Sequence, residues 1–263
     1  MDNKFTIQTP DFYKAIYKNK SYQLETIQLL SYLSSIIEPP WDILDVGSGT
    51  GQLINFLYPF SNKYKAIEPS KLMYQSLVDF LKEKRLYEIS AINSSFQEYL
   101  GNYEDSDFNI LIANFNVFNY LKYDELISYF KLIYKNNKNK KIIAFDTWSL
   151  SYVIQRPKSM KSKYNFEIKK GGTKYKIERE SNSFFDKSKN ELNIDFGFSQ
   201  VQPEKIFLGQ EKHLIYPFDI DVLRRDIEEF STNFFAVPFP LKLGKKKSFD
   251  QYRNWLIVIT LEK

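Results

Sequence analysis

Trp41-Asp42-Ile43-Leu44-Asp45-Val46-Gly47-Ser48-Gly49-Thr50-Gly51 is a short apolar strand that ends in an acid and runs into three glycines spaced by single residues. A helix-like segment, Gln52 to Tyr58, follows. Strand, glycine turn and helix in this order bring backbone close to a ligand, because glycine lacks Cβ and tolerates φ > 0. They also aim the free N–H groups of a helix's first turn at whatever occupies the bend. No Lys-Ser or Lys-Thr follows the glycines, so the turn is not a phosphate-cradling P-loop. Its G-x-G-x-G spacing differs from the G-x-G-x-x-G of dinucleotide enzymes, which argues against an NAD-linked reductase.

Working outward, Tyr64-Lys65-Ala66-Ile67-Glu68-Pro69-Ser70 reads as a second strand with Glu68 at its carboxyl end. A carboxylate there can accept both hydroxyls of a ribose, as open α/β sheets do at their switch point. Upstream, Tyr13 to Ile37 carries apolar residues at helical spacing and is stopped by Glu38-Pro39-Pro40. Downstream, Lys71–Lys84, Ile89–Asn93, Phe108–Ala113, Asp124–Tyr134 and Lys141–Phe145 continue the alternation of helix and strand. That pattern predicts an α/β fold, a parallel sheet with helices on both faces. Right-handed crossovers then gather the strands' carboxyl ends at one edge, where the site forms.

After Trp148 the pattern changes. Phe166–Lys169, Lys174–Ser181, Leu192–Gln200 and Lys205–Leu208 read as strands, joined by Gly171-Gly172 and Lys187-Ser188-Lys189-Asn190, which is hairpin chemistry. Residues 151–212 therefore read as an antiparallel β-lobe inserted between 1–150 and 213–263. The chain returns through a helix at Asp219–Phe230 and two closing strands, Asn233–Val237 and Trp255–Glu262.

Composition narrows the functional classes. The 263 residues are 43% hydrophobic and 26% charged, as in a globular protein with a sizeable core. Lysines are spread along the chain at a net charge of +5, whereas nucleic-acid proteins concentrate basic residues on one element. The Lys245-Lys246-Lys247 triplet reads first as a solvated loop and second as a contact for an anionic substrate such as a nucleotide diphosphate. With no cysteine, one histidine and no H-E-x-x-H pattern, neither disulfides nor a metal site are expected. Met1 to Pro10 is polar with no apolar core, and no run reaches the roughly 20 apolar residues of a spanning helix. A cytoplasmic protein without a membrane partner is the expectation.

With Glu68 following the glycine turn, the chain resembles the class I S-adenosylmethionine (SAM)-dependent methyltransferases, whose first motif is similar to Ile43–Gly51 and whose ribose acid is similar to Glu68 in Ile67-Glu68-Pro69-Ser70. A narrower likeness is to bacterial aminosugar N-methyltransferases and their small-molecule relatives. It rests on Phe12 to Tyr22 with Glu25, on Phe145-Asp146-Thr147-Trp148, on a β-lobe beginning near Arg179, and on Glu211-Lys212-His213 before Pro217-Phe218. The resemblance implies a Rossmann-like sheet, S-adenosyl-L-methionine as cofactor and S-adenosyl-L-homocysteine as product. It places Gly47, Gly49 and Gly51 around the methionyl group, Asp45 and Ser48 among the cofactor-binding residues, Glu68 on the ribose, and Pro69 or Leu72–Met73 near the adenine. Ser95 and Phe96 stand where the family contacts the adenine amine, although Asn93-Ser94-Ser95 is neutral where many relatives carry an Asp. Asn114 opens the segment that faces the sulfonium, in which Phe118 reads as core. The N-terminal segment, Tyr22 included, closes over the cofactor, and its tyrosines line the substrate cavity. The lobe lies above the site and often makes a dimer contact, so a homodimer is expected.

A methylsulfonium is already activated, so the protein must exclude water, align nucleophile, methyl and sulfur, and favour a deprotonated acceptor. An amine near its pKa needs only a desolvated pocket, whereas a hydroxyl needs a base. His213 is the candidate base by its ordinary pKa, with Glu211 on the same strand face; the competing reading is a structural hydrogen bond that pins the lobe. Tyr13 and Tyr17 are candidates for positioning the acceptor, or half-buried helix packing. Asp146 ends the fifth strand, as an exposed carboxylate that binds the acceptor or as a helix cap. The leading expectation is methyl transfer to an amino or hydroxyl group of a small polar acceptor, such as a nucleotide-linked aminosugar. An RNA or protein methyltransferase is disfavoured by the absence of an N-P-P-Y-type signature and of an appended basic domain. A SAM-binding subunit without catalysis is the non-enzymatic alternative.

Overall fold

The computed structural model describes residues 9–19, 22–102, 108–157, 159–170, 172–202, 204–239 and 253–263. Residues 1–8, Gly171, the Lys245-Lys246-Lys247 triplet and the Tyr22 side chain lie outside the described part. The helical run foreseen from Tyr13 to Ile37 is two helices, α1 (Thr9–Asn19) and α2 (Tyr22–Ile36). They serve different cores: Phe12, Ala15 and Ile16 of α1 bury against the lobe, while Leu29 and Leu33 of α2 bury against the main sheet.

The strands of the main sheet are β1 (Trp41–Val46), β2 (Ser61–Ile67), β3 (Ser90–Ile92), β4 (Ile110–Ala113), β5 (Lys141–Trp148), β10 (Asn233–Phe239) and β11 (Asn254–Leu261). They lie in the order β10-β11-β5-β4-β1-β2-β3. β1 to β5 run parallel to one another, whereas β11 runs antiparallel to both β5 and β10. β4 and β11 are buried along their whole length, as expected for strands covered on both faces. On one face α2, α3 (Ile54–Leu57) and α4 (Lys71–Lys84) contribute Leu33, Ile54, Leu77 and Leu81. On the other, α5 (Phe96–Leu100), α6 (Tyr123–Asn136) and α8 (Ile220–Ile227) contribute Phe96, Phe130 and Leu223. The strand order places β1 and β4 at the centre, so the turns after them meet at the carboxyl edge.

The lobe is a four-stranded meander, β6 (Ser159–Lys170), β7 (Thr173–Asp186), β8 (Glu191–Gln202) and β9 (Ile206–Ile215), reached from β5 through α7 (Leu150–Ile154). Its strands are longer than the sequence pattern indicated, and β9 continues through His213. Alternation explains why: Ile177, Phe185, Leu192, Ile194 and Phe198 point inward and are buried, while Lys174, Lys176, Glu180, Asn193 and Asp195 point out. On the outer face Lys163 pairs with Glu178 at 3.3 Å and with Glu180. Polar outward positions lower the apolar density of each strand, which hid their length. The inward face is covered by α1 and α7 of the same chain. No helix of the described residues is long and apolar enough to cross a membrane.

Candidate active site

The turn after β1 is left-handed at all three glycines, for two different reasons. A Cβ on Gly47 would lie 2.6 Å from a Val117 methyl, and one on Gly51 would lie 2.8 Å from Phe80, so both are needed for packing. A Cβ on Gly49 would meet nothing nearer than Met73 Cε at 3.7 Å. A group therefore fits over Gly49 without a clash, and this is the cradle a ligand would approach.

Glu68 sits beside that cradle, 5% exposed. Its Oε2 accepts the Gly49 N–H at 2.8 Å and its Oε1 the Ser70 N–H at 2.9 Å. Burial pushes the carboxyl up to about 7, against the pull of those two N–H groups. Each oxygen keeps a second acceptor site, so the side chain can grip the turn and still receive two ribose hydroxyls. Asn114, 2% exposed, has no hydrogen-bond partner for either amide atom among the described residues. A buried orphan amide at the end of β4 is costly unless a ligand satisfies it. Cradle, acid and orphan amide together fit an adenosine-containing cofactor.

Other residues foreseen for the cofactor have further commitments. The Asp45 carboxyl takes the Tyr64 hydroxyl at 3.0 Å and is raised to about 7 by burial, against that hydrogen bond. Ser48 Oγ donates to the Asp45 carbonyl at 2.8 Å. Met73 is buried next to Gly49, and Pro69 precedes the Ser70 cap of α4. Ser95 caps α5 in a capping box with Glu98, and the Phe96 ring packs on Phe118 in the core. Phe118 is fully buried, as foreseen.

Asp146 needs correction. It is 1% exposed and caps no helix; Ser149 caps α7 instead. Its Oδ1 accepts the Asn116 N–H at 2.7 Å. That bond holds a bend in which Phe115 and Asn116 have φ of 66° and 62°, a conformation a phenylalanine rarely adopts. Burial pushes the Asp146 carboxyl up to about 7, opposed by the Asn116 N–H and supported by the charge of Glu25.

Next to the loop after β4, the lobe and the main sheet enclose a cavity of about 290 Å³. Tyr13 and Tyr17 both line it, with ring centroids 5.9 Å apart, and Tyr17 packs on Phe115 at 4.9 Å. Glu25, Asp146 and Tyr120 border it from the α/β side. Arg156, Arg179 and Arg253 reach it from the lobe and its junctions, each lying over an aromatic ring. His213 is in its wall, 4% exposed, with Tyr120 Oη 2.7 Å from Nδ1 and Glu211 Oε2 3.3 Å from Nε2. The structure thus joins Tyr13, Tyr17, Asp146 and His213 around one space. Sequence reasoning had not singled out Tyr120 or the three arginines, whose convergence depends on how the lobe folds back over the sheet.

Fold and turn are those of class I methyltransferases. Residues 43–140 match the family model for a methyltransferase domain, and the chain carries a SAM-dependent methyltransferase domain with S-adenosyl-L-methionine as cofactor. Among solved structures, the chain is similar to a SAM-dependent methyltransferase from Clostridium acetobutylicum, at 15% identity and a TM-score of 0.69, covering 94% of this chain and 95% of that one. It is similar to CalS10, an amino pentose methyltransferase from Micromonospora echinaspora, at 14% identity, a TM-score of 0.70 and coverage of 95% and 97%. It is also similar to the sugar N-methyltransferase KedS8 from Streptoalloteichus, at 12% identity, a TM-score of 0.68 and coverage of 96% and 92%. No curated protein matches the chain by sequence.

Proposed function

We propose that this enzyme transfers a methyl group to the amino group of a small polar acceptor, an aminosugar carried on a nucleotide. The observation that carries the reading is the 290 Å³ cavity between the lobe and the main sheet, bordered by the loop after β4, whose size is at the small end of the roughly 300–1,000 Å³ of small-molecule sites. A space roofed by its own lobe suits a small acceptor better than a folded RNA or a protein surface. Glu25 and the tyrosines of α1 offer partners for an amine and for sugar hydroxyls. Arg156, Arg179 and Arg253 offer charge for a diphosphate. The solved structures of sugar methyltransferases with the same fold support the choice. In this reading Gly49, Glu68 and Asn114 hold the cofactor, which supplies the activated methyl, and the chain's own residues align the acceptor and keep water out.

The test is to incubate the protein and SAM with a thymidine-diphosphate aminosugar, its hydroxyl analogue, total RNA and a protein mixture. Mass spectrometry should show 14 Da added to the aminosugar alone. Methylation of RNA or protein in its place would sink the reading. The reading keeps a homodimer through the lobe's edge strands, where Ile206 and Phe207 are exposed. Light scattering at tens of micromolar should give twice the chain mass, and a monomer would remove it.

A further inference from the structure

A chain of three side chains, buried at its His213 and Glu211 end, runs from the lobe into the loop after β4. Tyr120 Oη lies 2.7 Å from His213 Nδ1, and His213 Nε2 lies 3.3 Å from Glu211 Oε2. The side chains of His213 and Glu211 are 2% and 0% exposed. An ionised carboxylate only accepts, so the proton of the neutral imidazole belongs on Nε2, and Nδ1 is left to accept from the Tyr120 hydroxyl. With both nitrogens engaged, His213 does not reach an acceptor itself. Tyr120 does border the cavity and is 37% exposed.

Resting on the small-acceptor reading above, we propose that Tyr120 is a catalytic residue that takes the proton of the acceptor, with His213 and Glu211 as positioning residues behind it. The acceptor's N–H proton passes to Tyr120 Oη as the phenol proton passes to His213 Nδ1. The proton leaves the ammonium form of the acceptor, whose N–H bonding pair becomes the lone pair that takes the methyl, and the positive charge ends on an imidazolium beside the Glu211 carboxylate. No electrons are exchanged and the tyrosine is neutral before and after. The order resembles a serine–histidine–carboxylate relay with a phenol in the outer place. Burial, and next to it the charges of Glu211 and Glu68, push the Tyr120 phenol up, so a free phenolate is disfavoured and a concerted double transfer suits the site. Glu211 stabilises the imidazolium. Facing groups on other elements are Tyr13 and Tyr17 of α1, Phe196 of β8 with its ring 5.1 Å from the imidazole, and Arg179 of β7 over that ring.

His213 is the only histidine in the chain, so ¹⁵N NMR of the protein saturated with S-adenosylhomocysteine reports one imidazole. At pH 8 it should show Nε2 protonated and Nδ1 accepting, and Tyr120→Phe should move the Nδ1 resonance. With the thymidine-diphosphate aminosugar as substrate, Tyr120→Phe and His213→Gln should each lower kcat about a hundredfold. The double variant should be no slower than either single one. S-adenosylhomocysteine affinity should stay within about twofold, since the relay lies on the acceptor side. Glu211→Gln should shift the acidic limb of the pH–rate profile, because the imidazolium loses its counter-charge. Wild-type kcat for Tyr120→Phe across pH 6–9, additive losses, or a proton on Nδ1 would each overturn the relay. If the wild type leaves the aminosugar unmethylated, the acceptor reading fails separately and the NMR tautomer alone decides the relay.

Discussion

At the scale of single residues, three glycines in one turn are not equivalent. Gly49 faces the open cradle, so Gly49→Ala should cost about 1–2 kcal/mol of stability for its positive φ yet leave the protein folded. Its loss of SAM affinity should be larger, measured by calorimetry. Gly47→Ala drives a Cβ into Val117 and should fail to fold, seen as loss of the cooperative thermal transition. Glu68→Ala removes the proposed ribose contacts and frees the Gly49 and Ser70 N–H groups at once, an expected loss of about 2–3 kcal/mol in cofactor binding. Unchanged affinity in both Gly49→Ala and Glu68→Ala would sink the cofactor site. Asp146→Ala should cost about 2–3 kcal/mol, because the bend at Phe115 and Asn116 loses its buried acceptor. Chemical denaturation measures this directly.

At the scale of elements, α1 connects the two halves of the acceptor cavity. One side of it buries Phe12 on Phe198 and Phe166 at ring distances of 5.0 and 5.9 Å, and another presents Tyr13 and Tyr17 to the cavity. The helix is therefore positioned by the lobe and in turn positions the tyrosines. Phe12→Ala should remove about 3–5 kcal/mol of packing if the site does not collapse. Because α1 is a peripheral helix, the expected result is local opening. Amide exchange should accelerate in residues 9–19 and KM for the acceptor should rise, with exchange in β1, β4 and β5 unchanged. Uniform acceleration through the main sheet would show that α1 is instead integral to global stability.

For the molecule as a whole, the buried acids set the response to pH. Asp45, Glu68 and Asp146 hold their protons up to about 7 in the folded chain, whereas unfolded carboxyls release them near pH 4. Between these values the folded state binds more protons, so stability falls as pH rises through that window and levels off above it. The exposed carboxyls of Glu98, Glu180 and Asp186, pulled down by local hydrogen bonds, act below the window and in the opposite sense. Tm should therefore drop between pH 5 and pH 8, and Glu68→Gln should flatten part of the slope. A ribose held by an ionised Glu68 requires the opposite trend for the cofactor. S-adenosylhomocysteine should bind more weakly at pH 5.5 than at pH 8, with proton release visible by calorimetry in buffers of different ionisation enthalpy.

What the sequence determined by itself was local. Periodicity located α4 at Lys71–Lys84, and the Ser70 cap and the left-handed Arg85 bound it where the pattern ends. The apolar runs of β1, β4 and β5 declare a sheet covered on both faces, and the glycine spacing with Glu68 declares a ligand at its carboxyl edge. Each of those signals lies within a few residues of chain, where sterics and burial act directly. The strands of the lobe were only half legible, because one polar face dilutes a period-two pattern. The His213–Glu211 pair was legible as two residues on one strand face, but the burial of Asp146, the left-handed bend at Phe115 and the meeting of Tyr120 with that pair were not. Tyr120 and His213 stand 93 residues apart and meet only because β9 folds back over the loop after β4. Contacts of that separation depend on topology and packing of whole layers, so the tertiary structure alone decided which side chains share the cavity.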